Sequence, residues 1–183
     1  MRKIWLASVV ALAIALAAGT AGATSVSVGA FGGLSFPVLN DQAERGTLYG
    51  VRVPVNLLPL LTVEPYYAQS ALGDLEEEFG GLAFTRDGGD LTSFGANVLL
   101  SFGGPIRFYP FGGIGQFKIE REGSESLEEM GYSFGLGLGI GLPAVPGLSI
   151  DVRGEMTMIP TDETSQKFAN ATLGATWRFF SVP

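Results

Sequence analysis

The sequence predicts an all-β fold: an eight-stranded, antiparallel, up-and-down transmembrane β-barrel. Three observations predict it. Apolar and small residues alternate with period two in eight segments, whereas no 3.6-residue pattern holds for long. Short and long connections alternate between the segments, and acidic residues collect in the long ones.

Taken in order, residues 1–23 read as a secretory leader that is cleaved, and residues 24–183 as a single barrel domain. Arg2 and Lys3 form the positive start, Ile4 to Ala18 is apolar apart from Ser8, and Ala21-Gly22-Ala23 is a small-residue cleavage site. The apolar run is about 15 residues, short of the roughly 20 that a helical span needs. Export follows, and no later window approaches a helical span.

The expected strands are 25–36, 46–56, 60–70, 90–102, 106–119, 130–142, 148–159 and 167–180. In the first, Val26, Val28, Ala30, Gly32, Leu34 and Phe36 share a face. In the second, Thr47, Tyr49, Val51, Val53 and Val55 do so, and in the fourth Phe94, Ala96, Val98, Leu100 and Phe102. The sixth is the clearest: Met130, Tyr132, Phe134, Leu136, Leu138 and Ile140 alternate with Gly131, Ser133, Gly135, Gly137 and Gly139. The fifth is ambiguous. Ile106, Phe108 and Pro110 begin on one face, whereas Gly115, Phe117 and Ile119 follow the other parity, which predicts a bulge near Gly112-Gly113.

Leu57-Leu58-Pro59, Gly103-Gly104-Pro105 and Pro143 to Gly147 make the short connections; 37–45, 71–89, 120–129 and 160–166 make the long ones. Short turns at one end and longer loops at the other are the asymmetry of membrane barrels, and the segments are near the length a tilted strand needs to cross a bilayer. Of 18 acidic residues, only Glu64, Asp151 and Glu155 lie inside strands.

The faces decide between lipid and water. A soluble barrel would turn the glycines of the sixth strand outward, where they weaken the strand without aiding solubility. With the apolar face outward, lipid meets Val, Leu, Ile and rings, and small residues suit a narrow interior. Outward aromatics then sort into two girdles: Phe36, Tyr49, Tyr67, Phe94 and Tyr132 toward the long loops, and Phe102, Phe108, Trp177 and Phe179 toward the short turns.

The last strand carries the most specific pattern. Thr172-Leu173-Gly174-Ala175-Thr176-Trp177-Arg178-Phe179 places a polar residue, a glycine and two aromatics at fixed spacing. On this pattern the mature chain resembles the small eight-stranded outer-membrane β-barrel proteins, the opacity-protein and OmpX/OmpW-like group. The resemblance implies that Thr172, Gly174, Trp177 and Phe179 form the signal read by the barrel assembly machinery. The chain departs from the pattern by continuing to Phe180-Ser181-Val182-Pro183.

Composition removes most chemistry. With no cysteine and no histidine there is no thiol nucleophile, no disulfide and no imidazole base, so no enzymatic activity and no cofactor are expected. Without the leader, 9 basic residues face 18 acidic ones, a balance of −9 that repels nucleic acid. Gly131-Tyr132-Ser133-Phe134-Gly135 matches the hydrolase G-x-S-x-G pattern, but inside an uninterrupted strand and with no base.

Two constellations remain. Arg52, Glu64, Arg107, Asp151, Arg153, Glu155 and Arg178 fall on the polar faces of their strands, a charge network for the lumen. With Leu57-Leu58-Pro59 as the turn, Arg52 is expected opposite Glu64. Such charges should pair, either plugging the lumen or gating a narrow pore, and the glycine face of the sixth strand is expected to leave space for the latter. The second constellation is the acidic loops, with Asp74, Glu76, Glu77, Glu78, Asp87 and Asp90 in one and Glu120, Glu122, Glu125, Glu128 and Glu129 in another. They read as solvated surface, with divalent-cation binding as the lesser alternative and no metal site assigned. The expected function is a monomeric outer-membrane barrel serving envelope integrity or surface interaction, with outer-membrane lipids and lipopolysaccharide as partners. The alternative is a narrow pore or side-opening channel for small or apolar solutes.

Overall fold

A computed structural model of the chain describes residues 25–38, 45–73, 75–79, 82–86, 89–120, 126–160 and 165–181. Among the described residues there are twelve strands: β1 (Ser25–Pro37), β2 (Gly46–Arg52), β3 (Val55–Asn56), β4 (Leu61–Ala71), β5 (Leu75–Phe79), β6 (Leu82–Arg86), β7 (Asp90–Leu100), β8 (Phe102–Gly103), β9 (Ile106–Glu120), β10 (Leu127–Gly141), β11 (Leu148–Ile159) and β12 (Gln166–Ser181). Ten of them make eight staves. β2 and β3 are one stave interrupted at Val53-Pro54, because proline has no N–H to give. Pairing continues around the gap, with Ser27 donating to the Pro54 carbonyl and Val53 to that of Pro65, both at 2.9 Å. β8 likewise continues β7 beyond Ser101 and pairs with β9.

Neighbours in sequence are neighbours in the sheet, and every pairing is antiparallel. β1 pairs with β12, and β9 with β10, so the ring closes. Closure leaves no free sheet edge, the condition for crossing lipid with strands. One register shift marks the β1–β12 seam, between Val26 and Ser27. The turn before β11 depends on Gly147, whose φ of 85° suits glycine and whose carbonyl accepts from the Arg178 N–H at 2.9 Å.

The apolar faces point outward. Leu136, Leu138, Val152 and Leu173 are each more than half exposed, as are Tyr49, Tyr132, Trp177 and Phe179 in the two girdles. Phe36, Phe102 and Phe108 are exposed as well, and Tyr67 and Phe94 half-buried.

Three expectations are corrected. There is no bulge at Gly112-Gly113: β9 pairs with β10 in unbroken register from Ile106 to Ile119. Tyr109, Phe111, Phe117 and Ile119 therefore all share the inward parity and are buried. The change of residue type along β9 is a change in what fills the lumen, and Gly113 is small because the Asn97 amide occupies the space beside it. Secondly, Arg52 pairs with Tyr66, two residues from Glu64. The connection centres on Pro59, with Leu57 donating to the Leu61 carbonyl at 3.0 Å and Leu61 to that of Leu58 at 3.1 Å. A slip of two residues preserves the face, so Arg52 still points inward. Thirdly, the glycine face of β10 is filled at Gly131, Gly135 and Gly137, and leaves space only at Gly139 and Gly141 near the short turns. A Cβ at Gly137 would collide with the Tyr109 ring; those at Gly135 and Gly131 would lie 2.6 and 2.7 Å from the rings of Phe111 and Phe117. The glycines of one strand seat the aromatic rings of its neighbour.

The long link 71–89 also contains something the periodicity did not signal. β5 and β6 pair as a separate two-stranded sheet and do not extend β4 and β7.

Candidate functional site

Inside the barrel, the side chains form three levels. At the long-loop end, Leu91, Phe117, Ile119, Ile159 and Phe168 make an apolar roof, each 7% exposed or less. They come from β7, β9, β11 and β12, so the roof is an assembly of inward residues from half of the eight staves. Beneath it, Ser133 donates to the Asn97 amide oxygen at 3.1 Å, and Glu155 accepts from Thr157 and Asn170 at 2.9 and 3.4 Å.

The middle level is ionic. Arg153 on β11 grips Glu64 on β4 with both terminal nitrogens, at 2.5 and 2.8 Å. Three staves lie between β4 and β11 in either direction round the ring, so this pair spans the lumen. The Arg153 Nε donates to Asp151 at 3.2 Å and to the Tyr109 hydroxyl at 3.1 Å. Arg52 closes the group: its Nη2 donates to Asp151 at 2.5 Å and to Thr176 at 3.3 Å, and its Nε lies 3.9 Å from Glu64. Two cations and two anions thus neutralise one another. Arg52 and Glu64 are each only 1% exposed, a burial tolerable for charges only because they are paired and hydrogen-bonded.

Aromatics and glycines hold the arginines in place. The Arg153 guanidinium carbon lies 5.2 Å from the Tyr109 ring centroid and 5.4 Å from that of Phe111, within cation–π range. Arg52 sits 5.5 Å from the Phe31 centroid. A Cβ at Gly174 would overlap the Arg52 guanidinium, so the glycine of the C-terminal pattern also makes room for the charged layer. Tyr109, Phe111 and Phe31 were missed as parts of this site. The available signal was the glycine ladder itself, which needs rings on the facing strand.

The lowest level is open. A cavity of about 480 Å³ lies beneath the charged layer, rimmed by Gly104, Pro105, Pro143 and Gly147 of the short turns. Above the layer only about 50 Å³ remains. Glu64 and Arg153 line both spaces, so the charged layer is the wall between them. Of the seven charged residues expected on the inner faces, Arg52, Glu64, Asp151 and Arg153 come together. Glu155 is held above them by hydroxyl and amide groups. Arg107 and Arg178 line the lower cavity and form no ion pair with any described residue.

Asp74, Asp87, Glu122 and Glu125 of the acidic loops lie outside the described residues. Among those described, Lys118 bridges Glu120 at 2.7 Å and Glu128 at 3.8 Å, an exposed cluster where the loops begin. Thr172, Gly174, Trp177 and Phe179 all lie on β12, with both aromatic rings on the outer surface.

Comparison with known proteins agrees with this architecture. The N-terminal β-barrel domain of Pseudomonas aeruginosa OprF is similar at a TM-score of 0.58 and 18% identity, covering 86% of this chain and 99% of that one. Neisserial surface protein A is similar at 0.60 and 15% identity, covering 84% and 96%. Ail, the attachment invasion locus protein of Yersinia pestis, crystallised in complex with the heparin analogue sucrose octasulfate, is similar at 0.50 and 19% identity, covering 85% and 97%. At these identities the likeness is one of fold. No curated protein matches the chain. Residues 4–179 match the family described as outer membrane protein beta-barrel domain, and the chain belongs to that family, a closed barrel of the bacterial outer membrane.

Proposed function

We propose that this barrel is a non-enzymatic, non-conducting element of the outer membrane that serves envelope integrity or surface interaction. The observation that carries this reading is the charged layer spanning the lumen beneath an apolar roof. Opening a path would require separating ion pairs held in a low-dielectric interior and moving aromatic side chains seated on glycine, two costs with no compensating contact in view. Absence of histidine and cysteine supports the non-enzymatic part.

The outer surface supports lipids and lipopolysaccharide as the surroundings, since exposed Leu, Val and Ile would otherwise face water. The pattern Thr172, Gly174, Trp177 and Phe179 supports delivery by the barrel assembly machinery, and the closed ring supports a monomer. Acidic residues in the long links favour cationic partners or cation-bridged lipopolysaccharide. A sulfated polyanion, the ligand crystallised with Ail, would be repelled by them.

Planar-bilayer recording tests the closed lumen. The refolded protein should give no steady conductance, and alanine at Arg52, Glu64, Asp151 and Arg153 together should produce it. Steady unitary steps from the unaltered chain would reverse the reading in favour of a narrow pore.

A further inference from the structure

We infer that the cavity at the short-turn end, which in outer-membrane barrels is the periplasmic end, is a binding site for a small oxyanion entering from that side. The inference goes beyond closure of the lumen, since the site lies below the charged layer and does not require that layer to open.

Charge accounting supplies the first argument. The carboxylates lining the cavity are Glu64 and Asp151, and both are already engaged by Arg153 and Arg52. That leaves Arg107 and Arg178 as a positive excess with no acidic partner among the described residues. A concave space walled by protein focuses such a field inward. Chain-wide the balance is acidic, so this positive pocket runs against the composition.

Donors supply the second. Arginine presents a planar fork that matches carboxylate and phosphate oxygens. Tyr109 also lines the cavity at 6% exposure, and its hydroxyl accepts from Arg153, so its own proton is left to donate. The half-buried Arg107, the exposed Arg178 and the Tyr109 phenol bring charged and neutral donors to the cavity from β9 and β12, beside hydroxyls that can donate as well. The volume of about 480 Å³ falls within the range of small-molecule sites. The chemistry that fits is an anion with two negative charges, carried on phosphate or on two carboxylates.

Calorimetric titration of the refolded chain in nonionic detergent tests this, with inorganic phosphate in one arm and succinate in the other. Saturable one-to-one binding is expected in at least one arm, and which arm responds identifies the anion class. Arg107→Gln and Arg178→Gln should each weaken it about tenfold, and together about a hundredfold, as loss of hydrogen bonds to charged groups predicts. Arg107→Lys with Arg178→Lys keeps the charge and should retain weaker binding. Lys118→Gln, at the opposite end, should bind as the unaltered chain does. Boiling-dependent gel mobility confirms that each variant is folded. No saturable heat in either arm, or equal affinity in the folded double glutamine variant, would overturn the site.

Discussion

The upper and lower halves of the lumen treat charge in opposite ways. Above and within the charged layer, Arg52 and Arg153 each have a carboxylate, the rings of Phe31, Tyr109, Phe111 and Phe117 each lie against a glycine, and about 50 Å³ is left. Below it, about 480 Å³ is left and two arginines have no carboxylate partner among the described residues. The difference follows water. A charge that water reaches needs no partner, whereas one removed from water is stable only when a partner and hydrogen bonds replace the lost hydration. For the arginines, pairing therefore tracks depth in the barrel, while Glu155 above the layer is held by the Thr157 hydroxyl and the Asn170 amide.

The largest effect should come from unbalancing the buried layer. Glu64→Gln leaves Arg153 without its bidentate partner and Arg52 without its second neighbour. A loss of about 3–5 kcal/mol is expected in urea unfolding of the refolded barrel. Arg107→Gln, below the layer, should change the same midpoint by less than about 0.5 kcal/mol. Equal effects at the two depths would end the comparison.

The roof comes next. Ile159 is fully buried among Leu91, Phe117, Ile119 and Phe168, so Ile159→Ala should cost about 2–5 kcal/mol through lost burial and a cavity beneath the loops. Its conductance should stay at zero, because the charged layer remains. Glycine substitutions sharpen the contrast further. Gly137→Ala drives a methyl into the Tyr109 ring and should cost about 1–3 kcal/mol by overpacking. Gly154→Ala, whose methyl would meet open space, should lie within about 0.5 kcal/mol of the unaltered chain. Thermal loss of the folded gel band ranks the two.

Parity was legible from local pattern, since a residue's face depends only on its place along an alternating strand. That is why eight staves, their order, the outward aromatics and the inward charges can all be read from residues alone. Parity cannot tell a pairing from one two residues away, so Arg52 was matched to Glu64 instead of Tyr66. Nor could a pattern read strand by strand interpret β9. Its inward rings looked like a shift of face because their seats are on a different strand, at Gly131, Gly135 and Gly137.

Contacts across the lumen are the deeper limit. Arg153 and Glu64 lie 89 residues apart in the chain and on opposite staves. No periodicity within either strand carries information about the diameter that separates them. Strand count and facing are properties of short segments, and the chain states them directly. Which charges meet, which remain open to water, and how a glycine ladder becomes a packed interior depend on closure. Only when β1 pairs with β12 do eight inner faces share one volume, and the chemistry of each face becomes that of its neighbours.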